Sequence, residues 1–248
     1  MLEGHISRAF DGALVALHMR VLEMGGLVLD QVREAAKAYT EWDSQAALRV
    51  AEREPRVREY QSALHEDQFA LIARRAPVAS DLRAIIGLSK IASELERAGN
   101  EARKIARIVL QQGGRPGHGT SSDVRHLALL ATRLLRSALE ALDRLDPQAS
   151  SDVIARDEEL DAEYAAGLRR LLSRAMEDPR HFEVAVEAVF VLKSLERIGD
   201  NARNLAQQVR IIAPEARSQS VGAPDLTGSP PARDEPPAAG APGSAPLP

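Results

Sequence analysis

Two acidic side chains in the second half of the chain have the spacing of a cation-binding pair. Glu196 and Asp200 are four residues apart, so on an α-helix they lie one above the other on the same face. Such carboxylates repel each other unless positive charge lies between them, and their oxygens suit hard or borderline metal ions. In a second interpretation the strip is solvated, and Lys193, Arg197 and Arg203 balance its charge. The spacing alone leaves both interpretations open.

The acidic pair belongs to a stretch that occurs twice. Residues 95–109 and 195–209 are identical at eight of fifteen positions, at an offset of 100 residues. On a helix the second copy presents an apolar stripe of Leu195, Ile198, Ala202, Leu205 and Val209. The duplication predicts two similar halves of about 100 residues each, a normal size for a domain or half-domain.

Helical periodicity runs through most of the sequence and predicts an all-α fold. The expected helices cover about 7–40, 44–74, 77–110, 123–146, 148–176 and 180–212. Pro55 lacks a backbone donor, so we expect it to divide the second helix into 44–53 and 55–74. Gly25 and Gly26, inside the first helix, predict a tight helix contact or a bend. No stretch shows the period-2 alternation of a strand.

Glycine and proline divide the chain into four parts. Residues 113–122 form a Gly-rich linker between the two copies of the repeat. Residues 213–248 hold nine of the fourteen prolines and are expected to form a disordered tail. The remaining ranges, 1–112 and 123–212, contain three helices each. The sequence therefore predicts two tandem, pseudo-repeated three-helix bundles.

Composition excludes several classes of function. The chain is 44% apolar and 27% charged, which is typical of globular proteins, but only 3% aromatic, so its core must be aliphatic. It contains no cysteine, which excludes disulfides, thiolate nucleophiles and Cys-ligated zinc. The net charge of −4 argues against a nucleic-acid binder. Without a long uninterrupted apolar run or a signal peptide, the protein is expected to be cytoplasmic.

The motif search gives no support for an enzyme. The sequence lacks a phosphate-binding glycine-rich loop, a His-Glu-x-x-His metalloprotease motif and a Gly-x-Ser-x-Gly nucleophile elbow. Asp123 with His126, and Asp178 with His181, have the spacing of a di-iron ligand pair. Both pairs lie at predicted helix starts, where the aspartate is expected to act as a cap.

Four segments of the sequence resemble the PhoU family of bacterial phosphate-transport regulators. They are Arg-Arg-Ala-Pro-Val-Ala-Ser-Asp-Leu-Arg (74–83), Leu-Glu-Arg-Ala-Gly-Asn (95–100), Arg-Asp-Glu-Glu-Leu-Asp (156–161) and Leu-Glu-Arg-Ile-Gly-Asp-Asn-Ala-Arg-Asn-Leu-Ala (195–206). The resemblance covers about residues 5–212 and also implies two three-helix bundles. It implies a negative regulator of the phosphate-starvation response that forms homodimers.

The resemblance implies that the protein acts through contacts with two partners. These are the ATPase subunit of the phosphate ABC transporter and the phosphate sensor histidine kinase, through which the protein would lie next to the inner membrane. The candidate contact residues are Arg83, Arg97, Arg197 and Arg203. Two alternatives remain: a metal-binding helical protein without a signalling role, and an accessory protein of another class of phosphate transporter.

The resemblance also implies metal sites, built from Glu/Asp-x-x-x-Asp pairs on two helices of each half. The cation would be iron, zinc, manganese or magnesium. The second half has both pairs, Glu196 with Asp200 and Asp157 with Asp161. The first half departs from the pattern, with Glu96 followed by the weak ligand Asn100, and Glu54 followed by the cation Arg58. We therefore expect metal binding in the second half and weak or absent binding in the first.

Overall fold

The computed structural model describes residues 3–75, 77, 79–111, 122–178, 180 and 182–213. Within these residues the chain forms six long α-helices and no strand, as the periodicity predicts. The helices are α1 (Glu3–Glu41), α2 (Ser44–Arg75), α3 (Ala79–Gln111), α4 (Ser122–Arg144), α5 (Pro147–Glu177) and α6 (Phe182–Ile212). Residues 113–121 of the predicted linker and residues 214–248 of the predicted tail lie outside the described part.

The helices form two three-helix bundles that pack against each other. Helices α1, α2 and α3 contact one another, and so do α4, α5 and α6. The bundles meet where α3 lies along α6 and where α1 lies along α4, and all six helices belong to one compact unit. Each joining pair consists of equivalent helices from the two halves, so the duplication in sequence reappears as a pseudo-two-fold arrangement.

The core is aliphatic, as the low aromatic content predicts. The largest fully buried side chains are almost all Leu and Ile, and they include the equivalent residues Leu95 and Leu195 of the repeated stretch. Burying one such side chain stabilises the fold by about 1.5–3 kcal/mol. The leucine of the repeated motif therefore anchors α3 and α6 in their bundles.

Glycine permits close contact between the two bundles. A Cβ added at Gly25 of α1 would overlap the Leu139 side chain of α4, and one at Gly87 of α3 would overlap Ile212 of α6. Gly26, by contrast, has no atom within 4 Å of the position of a Cβ. The tight helix contact expected at the double glycine is therefore present, and it involves only the first of the two residues.

The expected interruption of the second helix at Pro55 is wrong. Helix α2 runs without a break from Ser44 to Arg75 with Pro55 inside it. Val50 and Val57, on either side of the proline, are both buried in the core. A proline inside a helix costs about 3 kcal/mol. Burial of apolar side chains on both sides of Pro55 offsets this cost and keeps the helix continuous.

The helix ends follow local sequence signals. Asp43 accepts hydrogen bonds from the backbone N–H of Gln45 and Ala46, at 2.9 and 3.0 Å, and so caps α2. Asp146 caps α5 in the same way and is followed by a proline at the first helical position. Helix α3 begins at Ala79, two residues later than predicted from Pro77.

One helix of the described chain is long and apolar enough to cross a membrane. It is the Phe10–Glu41 part of α1. Core helices of soluble proteins can pass the same test, and α1 buries Val21, Met24 and Val28 completely within the bundle. Core packing accounts for part of its apolar character, since 33% of the apolar window is buried.

Candidate functional site

The predicted acidic pair on α6 lies near a buried aspartate of α5. Asp157 is only 2% exposed, and Glu196 and Asp200 are close enough to perturb its pKa. The two helices approach closely because residue 199 is glycine. A Cβ on Gly199 would lie 3.0 Å from the Leu160 side chain and 3.3 Å from Asp157 Oδ1. The glycine of the repeated motif thus brings the carboxylates of the two helices together.

A guanidinium group lies within this acidic cluster. Arg203 Nε is 3.3 Å from Asp157 Oδ2, and Arg203 Nη2 is 3.1 Å from Asp200 Oδ1. Lys193 Nζ is 2.7 Å from Glu196 Oε1. Lys193 and Arg203 both belong to α6, the helix that carries Glu196 and Asp200. These contacts therefore agree with the interpretation in which neighbouring cations of the same helix balance the charge of the two acids.

The Asp157 carboxyl group has an unusual protonation equilibrium. Burial raises its pKa to about 6, because loss of hydration disfavours the charged form. Arg203 opposes this increase, whereas Asp161, Asp200 and Glu196 add to it. The cluster therefore surrounds a buried acid with more negative than positive charge.

The second half offers some, but not all, features of a metal site. Asp157 Oδ1 and Glu196 Oε2 are buried and have no hydrogen-bond partner among the described residues, which makes them available to a cation. Asp161, one turn along α5, is exposed. Among the described residues, no three His, Asp or Glu side chains are grouped as metal ligands. The donor atoms fit a cation provided that the Arg203 guanidinium moves out of the cluster.

The equivalent positions of the first half make different contacts. Asn100 Nδ2 donates a hydrogen bond of 2.7 Å to Glu96 Oε1 on the same helix. Arg58 Nη2 lies 2.7 Å from Glu54 Oε2, and Glu54 is only 8% exposed. Each glutamate thus contacts an amide or a guanidinium group. The two halves differ as the sequence suggests, while asymmetric metal binding itself stays a prediction.

Both bundles match the same family model. The PhoU domain matches residues 21–109 and again residues 124–209, which together make up most of the chain.

The chain belongs to the PhoU family.

Curated relatives and solved structures agree with this assignment. The chain is 40% identical over 210 residues to the phosphate-specific transport system accessory protein PhoU homolog of Pseudomonas putida, covering 84% of this chain and 82% of the relative. Identity to phosphate-specific transport system accessory protein PhoU of Escherichia coli (strain K12) is 32% over 225 residues, covering 91% and 93%. The crystal structure of PhoU from Pseudomonas aeruginosa superimposes with a TM-score of 0.78 at 37% identity, covering 81% of this chain and 96% of that one.

The four arginines predicted to contact partners have different surroundings in this PhoU-family chain. Arg97 forms an exposed ion pair of 3.3 Å with a glutamate three residues earlier on α3. Arg197 reaches from α6 to α3, where its Nη1 lies 3.4 Å from Glu101 Oε1. Arg203 belongs to the acidic cluster, and Arg83 is exposed near the start of α3. The structure does not bring the four together, and their binding role stays a prediction.

Sequence reasoning missed the polar junction between the two PhoU bundles. Glu101 is 7% exposed and lies between Arg197 of α6 and Lys104 of its own helix, whose Nζ is 2.6 Å from Glu101 Oε1. The repeat contained a signal, because the equivalent position in the second copy is the neutral Asn201. Because only α3 carries a charge at this position, the sequence indicates that the contact of Glu101 with Arg197 has no equivalent in the other copy of the repeat.

Asp123 also has a different role from the predicted cap. It lies inside the first turn of α4, and its side chain is 6% exposed. Arg170 of α5 contacts Asp123 Oδ1 through Nη2 at 2.6 Å and Nε at 2.7 Å, and this hydrogen bonding raises the pKa of the arginine. The pair ties α4 to α5. Asp178 caps the C-terminal end of α5, and His181 lies outside the described residues.

Proposed function

We propose that the chain is an accessory regulator of the phosphate-specific transport system, which restrains the phosphate-starvation response and modulates phosphate uptake. The observation that carries the proposal is the match of both bundles to the PhoU domain. The names of the relatives, at 32% to 40% identity over most of their lengths, supply the transport system. Because the similarity includes both halves, the proposal concerns the whole six-helix unit.

In this proposal the protein acts in the cytoplasm through contacts and catalyses no reaction. Its partners are the ATPase subunit of the phosphate ABC transporter and the phosphate sensor histidine kinase. A regulator transmits the state of a transporter only if it binds two conformations with different affinities. Long helices around a close-packed aliphatic core support this role, since they hold exposed side chains at fixed spacings.

A cellular experiment tests the regulatory role directly. The gene is deleted, and secreted alkaline phosphatase is assayed in phosphate-rich medium. High phosphatase activity despite plentiful phosphate is expected, and it should return to the repressed level when the intact gene is supplied. Normal repression in the deletion strain would contradict the proposal.

The contact surface is best tested at Arg83. Reversal of Arg197 would also place a carboxylate beside the buried Glu101 and disturb the junction between the bundles. Arg83 is exposed on α3, and the equally exposed Arg107 of the same helix provides a matched control. Arg83→Glu should weaken capture of the purified ATPase subunit, whereas Arg107→Glu should not. Equal capture by all three proteins would remove Arg83 from the proposed interface.

We further propose that the acidic cluster of the second half holds a divalent or iron cation. Support comes from the unpartnered buried oxygens of Asp157 and Glu196. Metal content is measured after purification and reloading, in the native protein and in Asp200→Ala and Glu96→Gln. Asp200→Ala should lower the metal content and Glu96→Gln should leave it unchanged. Equal occupancy of the two halves, or metal unaffected by Asp200→Ala, would contradict this assignment.

A further inference from the structure

A groove with cationic walls runs between α1 and α4, on a joining surface distinct from the acidic cluster. Its volume is about 580 Å³. Helix α1 contributes the cations Arg33 and Lys37, and helix α4 contributes the cations Arg125 and Arg136. Helix α4 also contributes the imidazole of His126, whose Nε2 lies 3.9 Å from Glu163 Oε2. The groove lining contains no Asp or Glu among the described residues. Such a concentration of positive charge is unexpected in a chain with a net charge of −4.

The cations of the groove are available to an external anion. Arg33 pairs with Asp30 at 3.1 Å, and both side chains are exposed. Lys37 lies 3.8 Å from Glu41. Exposed pairs of this kind contribute only a few tenths of a kcal/mol and are readily given up. Arg125 and Arg136 are also exposed, and neither forms an ion pair with the described residues.

The groove breaks the pseudo-symmetry of the molecule. The two PhoU matches begin at residues 21 and 124, and the same offset relates the buried positions of α1 to those of α4. Under this offset Arg33 corresponds to Arg136. Lys37 corresponds to Glu140, and His126 corresponds to Glu23. At the positions of Lys37 and His126, the opposite side of the pseudo-two-fold axis therefore carries acids, whereas Arg125 corresponds to the neutral Leu22. Duplication alone does not account for the charge of the groove.

The shape of the groove indicates what kind of anion it takes. Its volume lies within the usual range of small-molecule sites, and Ala36, Ala128 and Leu129 contribute apolar surface to its lining. Arg125 and Arg136 are eleven residues apart on α4, or about 16 Å along the helix axis, too far for one phosphate to bridge. Guanidinium groups bind phosphate oxygens in pairs and also stack on planar rings. The ligand therefore has an anionic part and a flat, less polar part.

We propose that this groove binds a small organic polyphosphate of the nucleoside diphosphate or triphosphate class. The phosphates lie against Lys37 and Arg125, next to Ser122 in the first turn of α4, where backbone N–H groups also favour an anion. The base lies on Leu129, beside Arg33 and Arg136. This proposal does not depend on the proposed regulatory function, because it concerns binding by the purified protein.

Binding is measured by isothermal titration calorimetry on the full chain, with ATP and ADP as probes. Both nucleotides should bind saturably at a single site. Arg125→Ala and Arg136→Ala should each weaken ATP binding about tenfold or more, since a hydrogen bond to a charged group contributes enough for that factor. Arg133→Ala is the matched control: it is exposed on the same helix and removes the same charge, but it does not line this groove. It should leave the affinity nearly unchanged.

Further probes separate the sources of phosphate. Adenosine and inorganic phosphate should bind much more weakly than ATP, and tripolyphosphate should bind more weakly than ATP because it lacks a base. Tripolyphosphate binding as tight as that of ATP would overturn the nucleotide assignment. So would attachment to phosphatidylglycerol vesicles without ATP binding, which would indicate a lipid headgroup. Absence of saturable ATP binding, or an equal loss in Arg133→Ala, would overturn the site itself. Circular dichroism confirms that each variant is folded.

Discussion

Replacing the buried Asp157 by asparagine should change how the stability of the protein depends on pH. The carboxyl group has a pKa of about 6 in the folded protein and 3.8 as its reference value. Between these values the folded state binds more protons than the unfolded state. The stability contributed by the protonated carboxyl is therefore fully present below about pH 4 and is lost as the pH rises through 6.

The size of the effect follows from the pKa difference. A shift of about two units corresponds to at most about 3 kcal/mol, at 1.36 kcal/mol per unit. About 1 kcal/mol of this is lost between about pH 5 and 7.5, because pH 5 lies about one unit below the folded pKa. The Asp157→Asn protein does not lose it, since an amide does not titrate in this range. Arg203 keeps Asp200 as a partner, so the substitution does not leave its charge isolated.

The assay is urea unfolding followed by far-UV circular dichroism, with EDTA present so that bound metal does not contribute. The free energy of unfolding is measured for the native protein and for Asp157→Asn at both pH values. Relative to the variant, the native protein should lose about 1 kcal/mol of unfolding free energy from about pH 5 to about pH 7.5. Asp152→Asn is the matched control, because Asp152 is exposed on the same helix and is not among the charges that shift the pKa of Asp157. Parallel pH dependence in all three proteins would refute the reasoning.

Two further substitutions test the packing and the ion pairs. Gly199→Ala should destabilise the protein by about 1–3 kcal/mol because its methyl group would press on α5. Gly26→Ala, at a position with open space, should instead stabilise the protein by up to about 1 kcal/mol. Urea unfolding measures both free energies, and similar effects of the two substitutions would contradict the packing argument. Arg170→Ala should destabilise the protein at neutral pH because it removes the closest partner of the buried Asp123. The same loss in the exposed neighbour variant Arg169→Ala would show that charge alone, and not the ion pair, is responsible.

Much of the fold could be predicted from the sequence because the helical period is long and the repeat is clear. Six helices and two bundles follow from these two features, and the aliphatic core follows from the low aromatic content. The error at Pro55 has a physical cause: the cost of proline is local, whereas burial of Val50 and Val57 depends on neighbouring helices. Local signals predict helix ends well, as at Asp43, and predict helix interruptions less well.

Less of the candidate site could be predicted. The four-residue spacing was enough to place Glu196 and Asp200 on one face, but not to identify what lies between the carboxylates. Arg203 reaches both Asp200 and Asp157 because α5 and α6 come close together, and this distance is a property of packing. The burial of Glu101 depends in the same way on the contact between α3 and α6.

The two copies of the repeated motif explain how one scaffold carries two different polar sites. A Cβ on Gly99 would lie 3.2 Å from Gln31 Oε1, and one on Gly199 would lie 3.3 Å from Asp157 Oδ1. Both glycines thus lie close to a buried polar side chain, which is the amide of Gln31 on α1 in the first half and the carboxylate of Asp157 on α5 in the second. The glycine is retained in both copies, while the polar group beside it and the helix that carries that group differ. A cation or a partner protein would therefore meet different polar groups in the two halves, even though their helices are related by a pseudo-two-fold axis.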